Sequence, residues 1–139
     1  MYYLKTSACF DSAHFLHGYE GKCANIHGHH WVVEVNISGE KLQVGGTKRG
    51  MLIDFGDFKQ TVKELAESYD HALIYEKNTL KPATLSALKD EGFALIETDF
   101  RPTAENFARR IYADLFKKGL PVCKVTVYES PENCAEYGE

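Results

Sequence analysis

The order of structural signals along the chain predicts an α+β fold, with helices packed on one face of an antiparallel sheet. Two long runs rich in β-branched and aromatic residues come first, two amphipathic helices follow, and an alternating strand comes last. At 139 residues the chain is expected to form one domain spanning 1–139, burying roughly two-thirds of its unfolded surface.

The first two strands occupy residues 2–14 and 31–38, joined by a loop that holds glycine and histidine. Trp31-Val32-Val33-Glu34-Val35-Asn36-Ile37 has the residue types that suit a pleated, half-buried surface. Gly45, Gly46 and Gly50 mark a turn, after which Met51-Leu52-Ile53 is expected to continue the sheet briefly. A helix follows over residues 55–69. Its apolar face carries Phe55, Phe58, Val62, Leu65, Ala66 and Tyr69, with Lys59, Lys63, Glu64 and Glu67 turned away. Asp54 is its expected N-cap, and Asp57 suits the positive end. Residues 76–98 are less patterned; a short helix near 84–89 and a strand at 93–96 are expected there. The second long helix opens after Arg101-Pro102-Thr103. Thr103 caps it, Glu105 sits in its first turn, and Phe107, Ala108, Ile111 and Leu115 form its buried stripe. Lys117, Lys118 and Gly119 end it. The final strand is expected at residues 123–129, alternating with period two.

Composition removes several functional classes. With 44% hydrophobic and 26% charged residues, the chain reads as an ordinary globular protein. Its first residues contain no long apolar run, so neither a signal peptide nor a membrane span is expected, and cytoplasm is the default location. Four cysteines are too few for a secreted disulfide framework, which points to reduced thiols. A net charge of −4 argues against nonspecific nucleic-acid binding, yet leaves room for a phosphorylated ligand held by local lysines.

The chemistry concentrates in histidines. His27 and His29 are two apart, the spacing that puts side chains on one face of a strand, and Gly28 lets the backbone approach without a Cβ between them. His14 ends the first strand-like run and can join them. Three imidazoles suit a zinc ion with an open fourth position, although iron, copper and nickel also accept imidazole. His17 and His30 read as surface residues; His30 should point opposite to His29. Cys23 admits three readings: a buried small side chain, a fourth ligand closing the zinc shell, or a free thiolate favoured by Lys22 and the metal. Asp70-His71 follows the first long helix and is either a surface pair or a proton-exchanging dyad. Glu129 is either a solvated strand-end charge or a carboxylate that accepts two parallel N–H bonds from a planar heterocycle. Glu105 is first a helix-start charge and second a ligand contact. Lys22, Lys48 and Arg49 read as solvated loop charges or as phosphate contacts.

Taken in order, Phe10-Asp11-Ser12-Ala13-His14, Cys23-x-x-x-His27-Gly28-His29, Asp54-Phe55, Asp70-His71, Pro102-Thr103-Ala104-Glu105-Asn106 and Val127-Tyr128-Glu129 cover nearly the whole chain. Their sequence resembles the 6-pyruvoyl-tetrahydropterin synthase family. Three residues separate Cys23 from His27, as in the carboxy-forming branch of queuosine biosynthesis; the pyruvoyl-forming animal enzymes have a longer spacing. With Ala24 following the cysteine and no acid before His27, branches that use a glutamate there are disfavoured. Residues 76–98 depart from the compact family pattern.

The resemblance implies a tunnelling fold: a four-stranded antiparallel sheet carrying two helices, three subunits joined into a barrel, and two trimers stacked into a homohexamer with active sites at subunit interfaces. It implies zinc on His14, His27 and His29, with Cys23 as catalytic thiol and Asp70 and His71 as its relay. Glu129 becomes the pterin anchor, with Thr103 and Glu105 as substrate contacts. The implied enzyme is a carbon–carbon lyase acting on 7,8-dihydroneopterin triphosphate, a small-molecule substrate. It would yield 6-carboxy-5,6,7,8-tetrahydropterin, acetaldehyde and triphosphate. The alternatives are a pyruvoyl-forming synthase, which stops after triphosphate elimination, and a noncatalytic zinc- or pterin-binding module.

Overall fold

Two long strands form the spine of the molecule. Strands β1 (Tyr2–His14) and β2 (His27–Gly39) pair antiparallel over their full length, from Tyr2 opposite Gly39 to His14 opposite His27. The computed structural model describes residues 1–139. Helix α1 (Phe55–Glu67), strand β3 (Leu73–Glu76), helix α2 (Pro82–Asp90) and strand β4 (Leu95–Thr98) follow, then helix α3 (Ala104–Lys117) and strands β5 (Val122–Tyr128) and β6 (Cys134–Gly138). The sheet has six strands in the order β4-β3-β1-β2-β5-β6. It is antiparallel from β1 to β6 and parallel where β3 joins β1 and β4. No helix is long and apolar enough to cross a membrane.

Period-two alternation decides which residues face the helices. On β2 these are Trp31, Val33, Val35 and Ile37; on β1, Phe10 with Leu4 and Ala8; on β5, Val125 and Val127. Helix α1 covers them with Phe58, Val62 and Ala66, and α3 with Phe107, Ala108, Ile111, Tyr112 and Leu115. Phe10 stacks on Trp31 at 6.0 Å, and Phe107 meets Trp31 edge-on at 5.1 Å. Each such fully buried side chain stabilises by roughly 1.5–3 kcal/mol. The other face of the sheet is polar and carries the cross-strand pairs Lys5–Glu34 and Lys124–Glu136. Both long helices start as the sequence predicts: Asp54 accepts from the Asp57 N–H at 3.1 Å, and Thr103 from the Asn106 N–H at 3.3 Å. Each cap contributes about 1 kcal/mol. Gly119, at φ 87°, takes the left-handed conformation that closes α3.

The structure corrects several expectations. The sheet is six-stranded and mixed rather than four-stranded and antiparallel. Strand β3 is only four residues long, too short for a periodic signal, and it forms where β1 and β4 pair with it, with Ile74 in the core. The chain does not finish on β5. A turn at Ser130–Asn133, closed by the Glu129 N–H on the Asn133 carbonyl, folds β6 back as a polar edge strand. Met51-Leu52-Ile53 forms no strand: the loop folds on itself through Gly50 N–H to Gln43 O, and Leu52 packs onto Gly39 instead. Phe55 is 64% exposed, one turn ahead of the buried stripe. In the 76–98 region the expected helix and strand both exist, but α2 buries no residue, so only α1 and α3 carry the core. The strand there, β4, starts two residues later than the expected 93–96.

Candidate active site

The β1–β2 register brings the three histidines together. His14 and His27 are Cα partners, and His29 follows two residues on, on the face that also carries Trp31. The His14 and His29 rings meet the Trp31 ring edge-on at 5.0 and 5.3 Å, so the core itself forms the floor of the cluster. One ligand atom from each histidine lies within 4.8 Å of the others.

Backbone carbonyls set the protonation of two rings. His14 Nδ1 lies 2.7 Å from the Pro102 carbonyl and His27 Nδ1 lies 2.6 Å from that of Asn25, contacts that require each Nδ1 to carry the proton. Both Nε2 atoms are then bare lone pairs, and they face each other at 3.1 Å. The buried Nε2 of His29 has no hydrogen-bond partner at all. Two bare lone pairs facing each other beside an unpartnered ring nitrogen suit a cation. Two ligands of one tetrahedral zinc are separated by roughly 3.3 Å, given Zn–N distances of about 2.0–2.1 Å, so the donor set fits the metal. Burial lowers the His14 pKa to about 4, overriding the Pro102 carbonyl, which raises it. Burial also lowers that of His29, opposed by Glu129. Both rings are therefore neutral at pH 7, the form a metal requires.

Cys23 lies in a single 3-10 turn (Lys22–Ala24) on the loop between β1 and β2. The turn is pinned to the end of β1 by Leu16 N–H on the Cys23 carbonyl at 2.9 Å. The thiol is half-buried and is not among the groups that converge, which favours an open metal position over a closed shell. Glu129 follows β5 directly, and its Oε1 stands 3.5 Å from His29 Nε2. It also lines a cavity of about 530 Å³ with His30, Val32, Tyr128 and Ser130. Thr103 is occupied as the cap of α3 and Glu105 is an exposed first-turn acid. The same segment reaches the histidines through the Pro102 carbonyl.

Asp70 and His71 form the expected dyad, with Oδ2 2.7 Å from Nδ1. The Asp11 N–H, then His71, hold the Asp70 carboxyl below its ordinary range, and Asp70 holds His71 above its own. The dyad opens onto a cavity of about 670 Å³ lined by Asp11, Ala13, Gly28 and His30. Asp11, Ala13, Gly28 and His30 alternate to the face opposite His14, His27 and His29, and His29 borders the same cavity. One chain therefore gathers Glu129 at the histidines and presents the dyad on the other side of β1. Sequence reading missed the Pro102 and Asn25 carbonyls, which no side-chain motif signals, and the place of Asp11 and His30 beside the dyad. The i, i+2 alternation does carry the signal for His30.

A strand-borne trio of imidazoles that could hold a metal ion, with a carboxylate beside it and a sheet backed by two helices, defines the class of α+β protein to which the chain is compared. Residues 3–139 match the sequence model of the family described as 6-pyruvoyl tetrahydropterin synthase. The chain is 35% identical over 142 residues to 6-carboxy-5,6,7,8-tetrahydropterin synthase of Haemophilus influenzae, covering 100% of both chains. It is 32% identical to the Aquifex aeolicus protein of the same name, over 85% of this chain and 76% of that one. The structure of Caenorhabditis elegans 6-pyruvoyl tetrahydropterin synthase superposes with a TM-score of 0.67 at 25% identity, covering 99% and 95% of the two chains. A Wolinella succinogenes protein shares the fold with a TM-score of 0.78 at 19% identity, covering 99% and 98%. The chain belongs to the 6-pyruvoyl tetrahydropterin synthase family and is an enzyme of that pterin-lyase class.

Proposed function

We propose that the protein is a zinc-dependent 6-carboxy-5,6,7,8-tetrahydropterin synthase of queuosine biosynthesis, acting on 7,8-dihydroneopterin triphosphate as a single-domain, cytoplasmic enzyme. The observation that carries the reading is the convergence of three histidine ring nitrogens, two of them unprotonated Nε2 atoms, beside Glu129. The relatives that bear that name support the product.

Zinc held by His14, His27 and His29 supplies Lewis acidity at the substrate side chain. Glu129 holds the pterin ring edge through two parallel N–H bonds and so fixes the reacting carbon near Cys23. Thr103 and Glu105, on the segment that Pro102 ties to His14, flank the bound ring. The Cys23 thiolate removes a proton from the side-chain carbon. His71, whose protonated form Asp70 favours, returns one. In the homohexamer built as two trimers that the family resemblance implies, a second copy would bring its dyad to the histidines.

The test is product analysis with the purified, zinc-loaded protein and 7,8-dihydroneopterin triphosphate. Acetaldehyde with 6-carboxy-5,6,7,8-tetrahydropterin is the expected result. A pyruvoyl product without acetaldehyde assigns the other branch, and full zinc without turnover assigns a binding module.

A further inference from the structure

Asp11 and His30 are Cα partners in the β1–β2 register, and Asp11 Oδ1 lies 2.8 Å from His30 Nδ1. The backbone of the same Asp11 grips the dyad on both sides. Its N–H donates to Asp70 Oδ1 at 2.8 Å, and its carbonyl accepts from the His71 N–H at 2.7 Å. One residue on β1 thus touches both members of the acid–base pair while its side chain is tied to β2. His71 itself sits at φ 52°, a left-handed conformation uncommon outside glycine, so its position depends on these contacts.

The side chain of Asp11 also faces the cavity that His71 opens onto. After Asp70, it is the carboxylate that bears on the His71 imidazole, in the same direction: both favour the protonated ring. His30 reaches Asp11 and is the clamp that keeps this carboxylate in place.

From this network we infer that Asp11 is a positioning residue for His71: a second carboxylate, held by His30, that keeps the imidazole oriented and protonated for proton return. The inference rests on the reading of Asp70–His71 as the acid–base pair. Asp11 is neither a metal histidine nor a residue of the Glu129 cavity, whereas His30 borders that cavity as well.

Asp11→Asn tests it. The substitution keeps both backbone bonds and leaves an oxygen for His30, but removes the charge. The zinc-loaded protein, labelled with 13C-histidine, is titrated by NMR, with the His71 signal identified from its loss in His71→Asn. In Asp11→Asn the His71 midpoint moves to lower pH, and Asp11→Glu restores it towards the parent. Turnover follows: kcat falls roughly tenfold with KM little changed, short of the ~10²–10⁴-fold expected on losing His71 itself. The basic limb of the kcat profile moves to lower pH with the NMR midpoint. An unchanged His71 midpoint in Asp11→Asn overturns the inference. If the midpoint moves but the parent gives no product from dihydroneopterin triphosphate, the inference stands and the proposed substrate is wrong.

Discussion

Glu129 Oε1 stands 3.5 Å from His29 Nε2, so the carboxylate that lines a cavity of about 530 Å³ also borders the histidine cluster. The contact arises because β2 and β5 pair antiparallel, with Val32 opposite Tyr128, which brings the residue after β5 alongside the start of β2. At that distance the pair is a loose contact, and both groups keep their capacity for other partners.

Glu129→Gln is expected to fold normally and bind pterin poorly. The carboxylate accepts two N–H bonds from the ring edge, whereas the amide offers one acceptor and one mismatched donor. A charge-assisted bond is worth ~1.5–3 kcal/mol, so affinity should fall roughly ten- to a hundredfold. Calorimetric binding of a pterin checks this; parent-like affinity returns Glu129 to a strand-end charge.

His27→Ala and His29→Ala should each lose most of the bound zinc, because each removes one of three converging nitrogens. Elemental analysis of purified variants provides the readout. Full zinc in both would mean that the ligands lie elsewhere.

Cys23→Ala is expected to retain zinc while kcat drops by about 10²–10⁴-fold, the usual contribution of a general acid–base group. Zinc content and turnover are measured on the same preparation. Joint loss of both would instead make the thiol a ligand.

Acid should destabilise the metal-free protein through His14. Burial brings its pKa down to about 4 from 6.5, so between those values the unfolded chain binds more protons than the folded one. Stability therefore falls as pH drops through this window, by about 3 kcal/mol in all from this group, and not further below it. Denaturant titrations of chelator-treated protein at pH 7 and pH 4 measure the difference. A His14→Asn variant should lose this part of the pH dependence.

Much of this protein is legible in its sequence because the signals are local. The i, i+2 spacing of His27 and His29 assigns them one face of β2. The caps Asp54 and Thr103 and the apolar stripes of α1 and α3 each depend on residues a few positions apart. The α+β class follows from these, as does the presence of an Asp70–His71 hydrogen bond between neighbours in the chain. Tertiary structure alone decided what depends on register and on long closures. Strands β3 and β6 exist because a partner strand accepts them, not because their own residues alternate strongly. The bare Nε2 atoms of His14 and His27 were set by carbonyls of Pro102 and Asn25, the first 88 positions away from its imidazole. The place of the dyad was decided the same way: alternation puts Asp11 and His14 on opposite faces of β1, and the pairing of β3 with β1 brings the segment holding His71 alongside Asp11.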